Sequence, residues 1–211
     1  MIEFSKVPRR KGREAYQWHR GFAAQNEHMF PRSWEEYRTF ADEGQLWCAR
    51  DLAKNGDYLG LAYSNFEDNK WEIGGLMVAV HARANGIGLV LGHLALGSVL
   101  YSENPLNFGH SVIVRIHSAN SGVRPLIDKL GFTFAERIVR PAACAPGMAV
   151  NAKGEIEGEE FHMSNPGTLV ALAEWAENWN RQIKNRTAAR IVLGPNQTLQ
   201  LWAQAFRVMA I

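Results

Sequence analysis

Residues 71–80 read as a strand and lead into Arg83-Ala84-Asn85-Gly86-Ile87-Gly88, after which residues 89–100 are apolar with helical character. A strand that passes into a helix through closely spaced glycines strongly limits what the chain can be. Glycine lets the backbone turn sharply and approach a ligand without side-chain obstruction. The new helix starts with unpaired N–H groups and the positive end of its dipole. Such a place suits a phosphate or pyrophosphate, and Arg83 adds a formal positive charge beside it. A glycine-rich turn with no ligand is the alternative.

Two phosphate-binding patterns fit these glycines. Gly86-x-Gly88-x-x-x-Gly92 loosely resembles the dinucleotide fingerprint, which expects an early strand leading straight into the glycines and then alternating strands and helices. Here the preceding strands form a meander. Residues 46–52, 58–66 and 71–80 read as strands, with turns at Gly56-Asp57 and at Glu67, Asp68 and Asn69. The third of them carries Gly74-Gly75, a pair that weakens a strand and marks a bulge or a close backbone approach.

Upstream, residues 2–7 form a short strand candidate and residues 14–28 a helical one. Ser33 and Glu36 have capping-box spacing before a helix carrying Trp34, Tyr37 and Phe40. Downstream, strands are expected at residues 110–116, 132–139 and 159–163, with a helix over 121–130 that stops at Gly131. Leu169, Leu172, Ala176 and Trp179 share one helical stripe, and Leu199, Trp202 and Phe206 share another.

Composition narrows the class. A chain of 211 residues carries one good core, and 46% hydrophobic with 21% charged residues is ordinary for a folded soluble domain. A net charge of +2 argues against a nucleic-acid partner. Cys48 and Cys144 are too few for a disulfide scaffold, and the histidines show no metal-ligand spacing, so no metal is expected. No segment reads as a secretory signal or a membrane span, which gives a cytoplasmic expectation.

The flanks of the loop decide between the patterns. Arg83-Ala84-Asn85-Gly86-Ile87-Gly88 matches the R/Q-x-x-G-x-G/A motif of the GNAT superfamily of N-acetyltransferases. Glu72 to Val78 (EIGGLMV) resembles that family's central strand. NSGVRPLIDKLGF, from Asn120 to Phe132, is similar to its N-x-x-A-x-x-L-Y-x-K-x-G-F segment, with Asn120, Leu126, Lys129, Gly131 and Phe132 in register. The resemblance covers residues 33–140.

It implies a mixed α/β fold with a central splayed sheet flanked by helices. Residues 1–163 would form the acetyltransferase-like domain, and 164–211 a C-terminal helical extension packed on it. Acetyl-CoA would lie in the splay. Arg83, Ala84, Asn85, Gly86, Ile87 and Gly88 would hold its pyrophosphate, and Leu76, Met77 and Val78 its pantetheine arm, with Asn120 nearby. The Val78 amide would polarise the thioester carbonyl. Glu72 is the first candidate for the general base and His117 the second. The family's acid tyrosine falls on Ile127, so that role is not carried over.

The implied reaction moves an acetyl group directly to a primary amine of a small molecule or protein. Two alternatives remain: a catalytically weak acyl-CoA-binding or interaction module, and a toxin-type aminoacyl-tRNA acetyltransferase. The latter would use Arg9 to Arg13 with Arg181, Lys184, Arg186 and Arg190. Trp34, Tyr37, Phe40 and Trp47 are candidates for an acceptor wall as well as for core. The C-terminal helices would cap the acceptor cleft or form a homodimer through Trp175, Trp179 and Trp202.

Overall fold

The computed structural model describes residues 1–102, 111–164, 167–182 and 188–210. Eight strands form one sheet in the order β6-β7-β5-β4-β3-β2-β1-β8. The strands are β1 (Ile2–Lys6), β2 (Leu46–Asp51), β3 (Asp57–Glu67), β4 (Lys70–Val78), β5 (Ser111–His117), β6 (Phe132–Pro141), β7 (Glu155–Met163) and β8 (Ala189–Val192). The helices are α1 (Gly12–Ala23), α2 (Trp34–Asp42), α3 (Ile87–Ser102), α4 (Arg124–Lys129), α5 (Gly167–Gln182) and α6 (Leu199–Met209). Of the strand expected at 110–116, residue 110 lies outside the described residues.

Local chemistry sets several boundaries. Ser33 caps α2 as its spacing requires: its hydroxyl accepts the Glu36 N–H while the Glu36 carboxylate accepts the Ser33 N–H. Helix α1 stops earlier than its pattern suggests, because the Asn26 side-chain amide donates to the Phe22 carbonyl at 2.7 Å. β4 ends at Val78 rather than at residue 80, and Val80 stands exposed in a 3-10 turn.

β4 carries the irregularity that positions the site. Leu61 pairs with Met77 and Tyr63 with Gly74, so one extra residue of β4 is accommodated between them. Gly75 has φ +56°, and a Cβ there would overlap the Tyr63 ring. The glycine pair thus makes the bulge and seats Tyr63. β4 and β5 pair in parallel only at Lys70–Ser111, Trp71–Val112 and Glu72–Ile113. Beyond that point the strands part, while β5 stays bonded to β7 as far as His117–Gly158.

Helix α3 lies across the other face, buried nearly all round. Its outer flank is covered by the C-terminal segment. Trp202 stands against Gly97, where an added Cβ would meet its ring at 2.5 Å, and it packs edge-on to Trp47. Trp179 meets Phe4 edge-on, and β8 runs parallel to β1. Two of the tryptophans expected at a dimer face are core: Trp202 is 0% and Trp179 5% exposed; the half-buried Trp175 stacks on His93. Trp179 and Trp202 are therefore not surface side chains. No sequence pattern announces β8, which is four residues long.

Two buried histidines tie stability to pH. Burial holds His93 at a pKa of about 4, and burial with the charge of Arg32 holds His19 at about 4, against 6.5 for a free imidazole. The unfolded chain takes up these protons first. Both contributions are full above about pH 6.5 and are lost as pH falls towards 4, at about 3 kcal/mol per histidine. Denaturant midpoints across that window are expected to fall steeply, and His93→Phe to flatten the fall. A flat wild-type profile would contradict the burial argument.

Candidate active site

The gap between β4 and β5 opens into a cavity of about 320 Å³. Its lining comes from β4 (Glu72 to Leu76), β5 (Val114 to His117), α4, the α1–α2 connection and the segment joining β6 to β7. Among the described residues none after Gly158 lines it, so α5 and α6 stand away from its wall. Of the aromatic wall expected from Trp34, Tyr37, Phe40 and Trp47, none lines it either. Tyr37, Phe40 and Trp47 are fully buried core.

The backbone of β4 turns the Val78 amide towards the gap. Ala79 N–H donates to Leu59 O at 2.9 Å. Bonded pairs alternate along an antiparallel ladder, so Met77 faces Leu61 and Val78 turns its N–H and C=O to the opposite edge. That edge is the one β5 has left. Met77 therefore differs from its expected role: its backbone serves the β3 ladder and its side chain is 1% exposed. Leu76 lines the cavity.

The turn before α3 carries strain where a ligand would approach. Ala84 sits at φ +63° and Gly86 at φ +75°. A left-handed alanine costs about 1 kcal/mol, and such outliers cluster at ligand sites. Arg83, Ala84, Asn85 and Gly86 are exposed, and nothing lies within 4 Å of a Cβ built at Gly86. Ile87 is core, and Gly88 fits between Val78 and Leu126. The Arg83 Nε lies 3.3 Å from Val78 O. An open cradle of helix N–H groups beside a free strand amide suits the phosphates and amide arm of acetyl-CoA.

Glu72 stands on the cavity wall between two arginines. Its Oε1 is 3.7 Å from Arg32 Nη2, and its Oε2 accepts from Arg115 Nη1 at 3.2 Å. Arg32 also donates to Glu36 at 2.8 Å and, through Nε, to the Tyr63 hydroxyl at 2.8 Å. Burial opposes the charge on Arg32, yet Tyr63, Glu72 and Glu36 together raise its pKa. Burial pushes Tyr63 up to about 12, against the pull of Arg32, so its hydroxyl is protonated at neutrality. Arg115 continues the chain of charges to Glu160, which Lys70 and His162 also engage. Burial of Glu160 is outweighed by these partners, and its pKa falls to about 2.

His117 has both ring nitrogens occupied. Nδ1 accepts the Ala119 N–H at 3.1 Å, so Nε2 carries the proton and donates to Ala149 O at 3.0 Å. This neutral tautomer leaves no lone pair for a substrate proton. Asn120 lines the cavity and its side chain caps no helix. Ile127, at the place of the family's tyrosine, is buried at the cavity edge. Arg32 and Tyr63 form the part of the wall that no motif announces. The one available signal was Gly74-Gly75, which requires a bulky side chain opposite.

Several of the described basic residues already hold carboxylate partners. Arg190 binds Glu3, Arg9 pairs with Asp42 at 2.7 Å, and Lys11 with Glu14. Lys184 and Arg186 lie outside the described residues. No group of metal-binding side chains occurs among the described residues, and no helix there is long and apolar enough to cross a membrane.

No protein-family profile and no curated protein matches the sequence. Solved structures do match in shape. The ribosomal-protein-S18-alanine N-acetyltransferase of Escherichia coli is 16% identical, with 77% of this chain and 93% of that one covered and a TM-score of 0.52. A putative acetyltransferase from Acinetobacter baylyi is 16% identical, with 78% and 92% covered and a TM-score of 0.59. A putative acetyltransferase from Salmonella typhimurium, solved with acetyl-CoA, is 12% identical, with 79% and 96% covered and a TM-score of 0.58. With its parted central strands and the glycine turn at the head of α3, this chain has the fold of the GNAT N-acetyltransferases.

Proposed function

We propose that the chain is an acetyl-CoA-dependent N-acetyltransferase acting on a primary amine. One observation carries the reading: the Val78 amide faces the unpaired edge of β4, next to the open cradle at residues 83–88. A thioester carbonyl needs a preorganised donor where negative charge develops. Removing one such donor costs about 10²–10³ in rate. Acetyl-CoA supplies an activated acetyl group. Arg83 to Gly88 hold its phosphates, and Leu76, Val78 and Asn120 its arm.

The amine reaches the reaction from the face that carries Glu72. Holding the two reactants together contributes up to about 7–11 kcal/mol, and a general base a further 10²–10⁴-fold or so. Glu72 accepts the amine proton through a water. Its oxygens each keep a lone pair beside the guanidiniums that fix them. His117 holds the wall of the site and transfers no proton.

Titration with acetyl-CoA followed by thiol release against amines tests the reading. Binding with amine-dependent release supports it. Binding without release from any amine turns it towards a CoA-binding module, for which the buried Ile127 speaks. Glu72→Gln is expected to lower kcat about 10²-fold or more while the acetyl-CoA Kd stays within about twofold. It also leaves Arg32 and Arg115 short of a partner, at about 2 kcal/mol of stability. Unchanged kcat across pH would remove Glu72 as the base.

A further inference from the structure

A strap of chain borders the cavity beside Glu72. It is the segment between β6 and β7, fastened at one residue from two sides. Ala149 N–H donates to Glu27 O of the α1–α2 connection at 2.9 Å. Ala149 O accepts from His117 Nε2 at 3.0 Å. His28 of the same α1–α2 connection stacks on His117, ring centres 4.7 Å apart. The strap thus joins the end of α1 to the end of β5 over the gap.

The space beneath is small. Its volume of about 320 Å³ is at the lower end for small-ligand pockets, about 300–1,000 Å³, and the thioester end must share it. Met29, Phe30, Ile138, Met148 and Ile156 supply an apolar lining. The buried charges are already matched: Arg32 by Glu36 and Glu72, Arg115 by Glu72 and Glu160. Glu67, Asp68, Arg140 and Glu157 line it as exposed charges, where water screens them, and Glu157 also accepts from the Asn151 amide at 2.7 Å.

Resting on the transferase reading above, we infer that the acceptor is a small primary amine on an apolar body, enclosed beneath the strap, and not a polypeptide. A chain crossing the site would have to pass where Ala149 is bonded on both sides. A polycation would find no unmatched carboxylate on the buried wall.

The chain carries its own reporter. Cys144 is exposed and lines the cavity, whereas Cys48 is buried and burial pushes its thiol up to about 11. A thiol reagent therefore reads Cys144 alone. Phenylethylamine and hexylamine are compared with spermidine and with peptides bearing free N-termini or lysines. The apolar amines are expected to slow Cys144 modification severalfold, and to exceed the peptides in kcat/KM by about 100-fold. His117→Ala, which frees Ala149 O, is expected to narrow that ratio about tenfold or more.

Peptides or spermidine that react as well as the apolar amines overturn the inference. So does acetyl-CoA binding with no amine protecting Cys144. Absence of acetyl-CoA binding by calorimetry overturns the transferase reading instead. Cys144 protection, measured without acetyl-CoA, still decides what the cavity accepts.

Discussion

Gly75→Val is expected to destabilise the protein by about 3 kcal/mol or more, from backbone strain and overpacking together. The position has φ +56°, and the new Cβ would lie 2.2 Å from the nearest Tyr63 ring carbon. That ring has nowhere to go. It stacks on Phe40 at 4.5 Å, and its hydroxyl is held by Arg32 at 2.8 Å. Relief would have to come from the bulge itself, which would shift Val78 relative to the gap. Loss of acetyl-CoA binding should therefore accompany the fall in the denaturant midpoint. Gly21→Ala on α1 is the control: nothing lies within 4 Å of its Cβ, and removing a helical glycine adds up to about 1 kcal/mol. A Gly75→Val protein as stable as the parent would refute the account of the bulge.

Gly86→Val should separate binding from folding. The site is open and exposed, so the substitution meets no neighbour; its cost is the φ of +75°, roughly 1–2 kcal/mol of stability. Its branched side chain would stand over the helix N–H groups that a pyrophosphate needs. Acetyl-CoA affinity is expected to fall about 100-fold, which is about 2.7 kcal/mol. Calorimetry of the folded variant reads this directly. An unchanged Kd would mean that the turn is structural and the phosphates lie elsewhere.

The parts legible in the sequence are those where backbone geometry forces a residue type. The Ser33–Glu36 box, the Gly74-Gly75 bulge and the Gly86-x-Gly88 turn each satisfy a local requirement, and local requirements leave a local trace. The contents of the cavity wall do not. Arg32 precedes a helix by two residues with nothing around it to mark a role, yet it ties Tyr63, Glu36 and Glu72 together. His117 is a candidate base by its place in the sequence. Only the fold brings Ala149 to its Nε2. The tryptophans of α5 and α6 have the spacing of one apolar stripe, which suits a core or an interface equally. The partner that decides between these, Gly97 on α3, lies about a hundred residues away. β8 is four residues long and half exposed, too short to leave a pattern.

The pairing of Ile2 with Ala189 and of Glu3 with Arg190 has a consequence for the order of events during synthesis. β1 waits for a strand that lies far later in the sequence. Until then β1 has a bare edge, and α3 shows water the apolar flank that Trp202 and Phe206 later cover. Contacts of such long sequence separation form late and slowly. A nascent chain halted near residue 163 would be a sticky intermediate, the kind of species that chaperones retain. Docking of β8 and α6 would close that edge and cover that flank in one step, so the two exposed surfaces would vanish together.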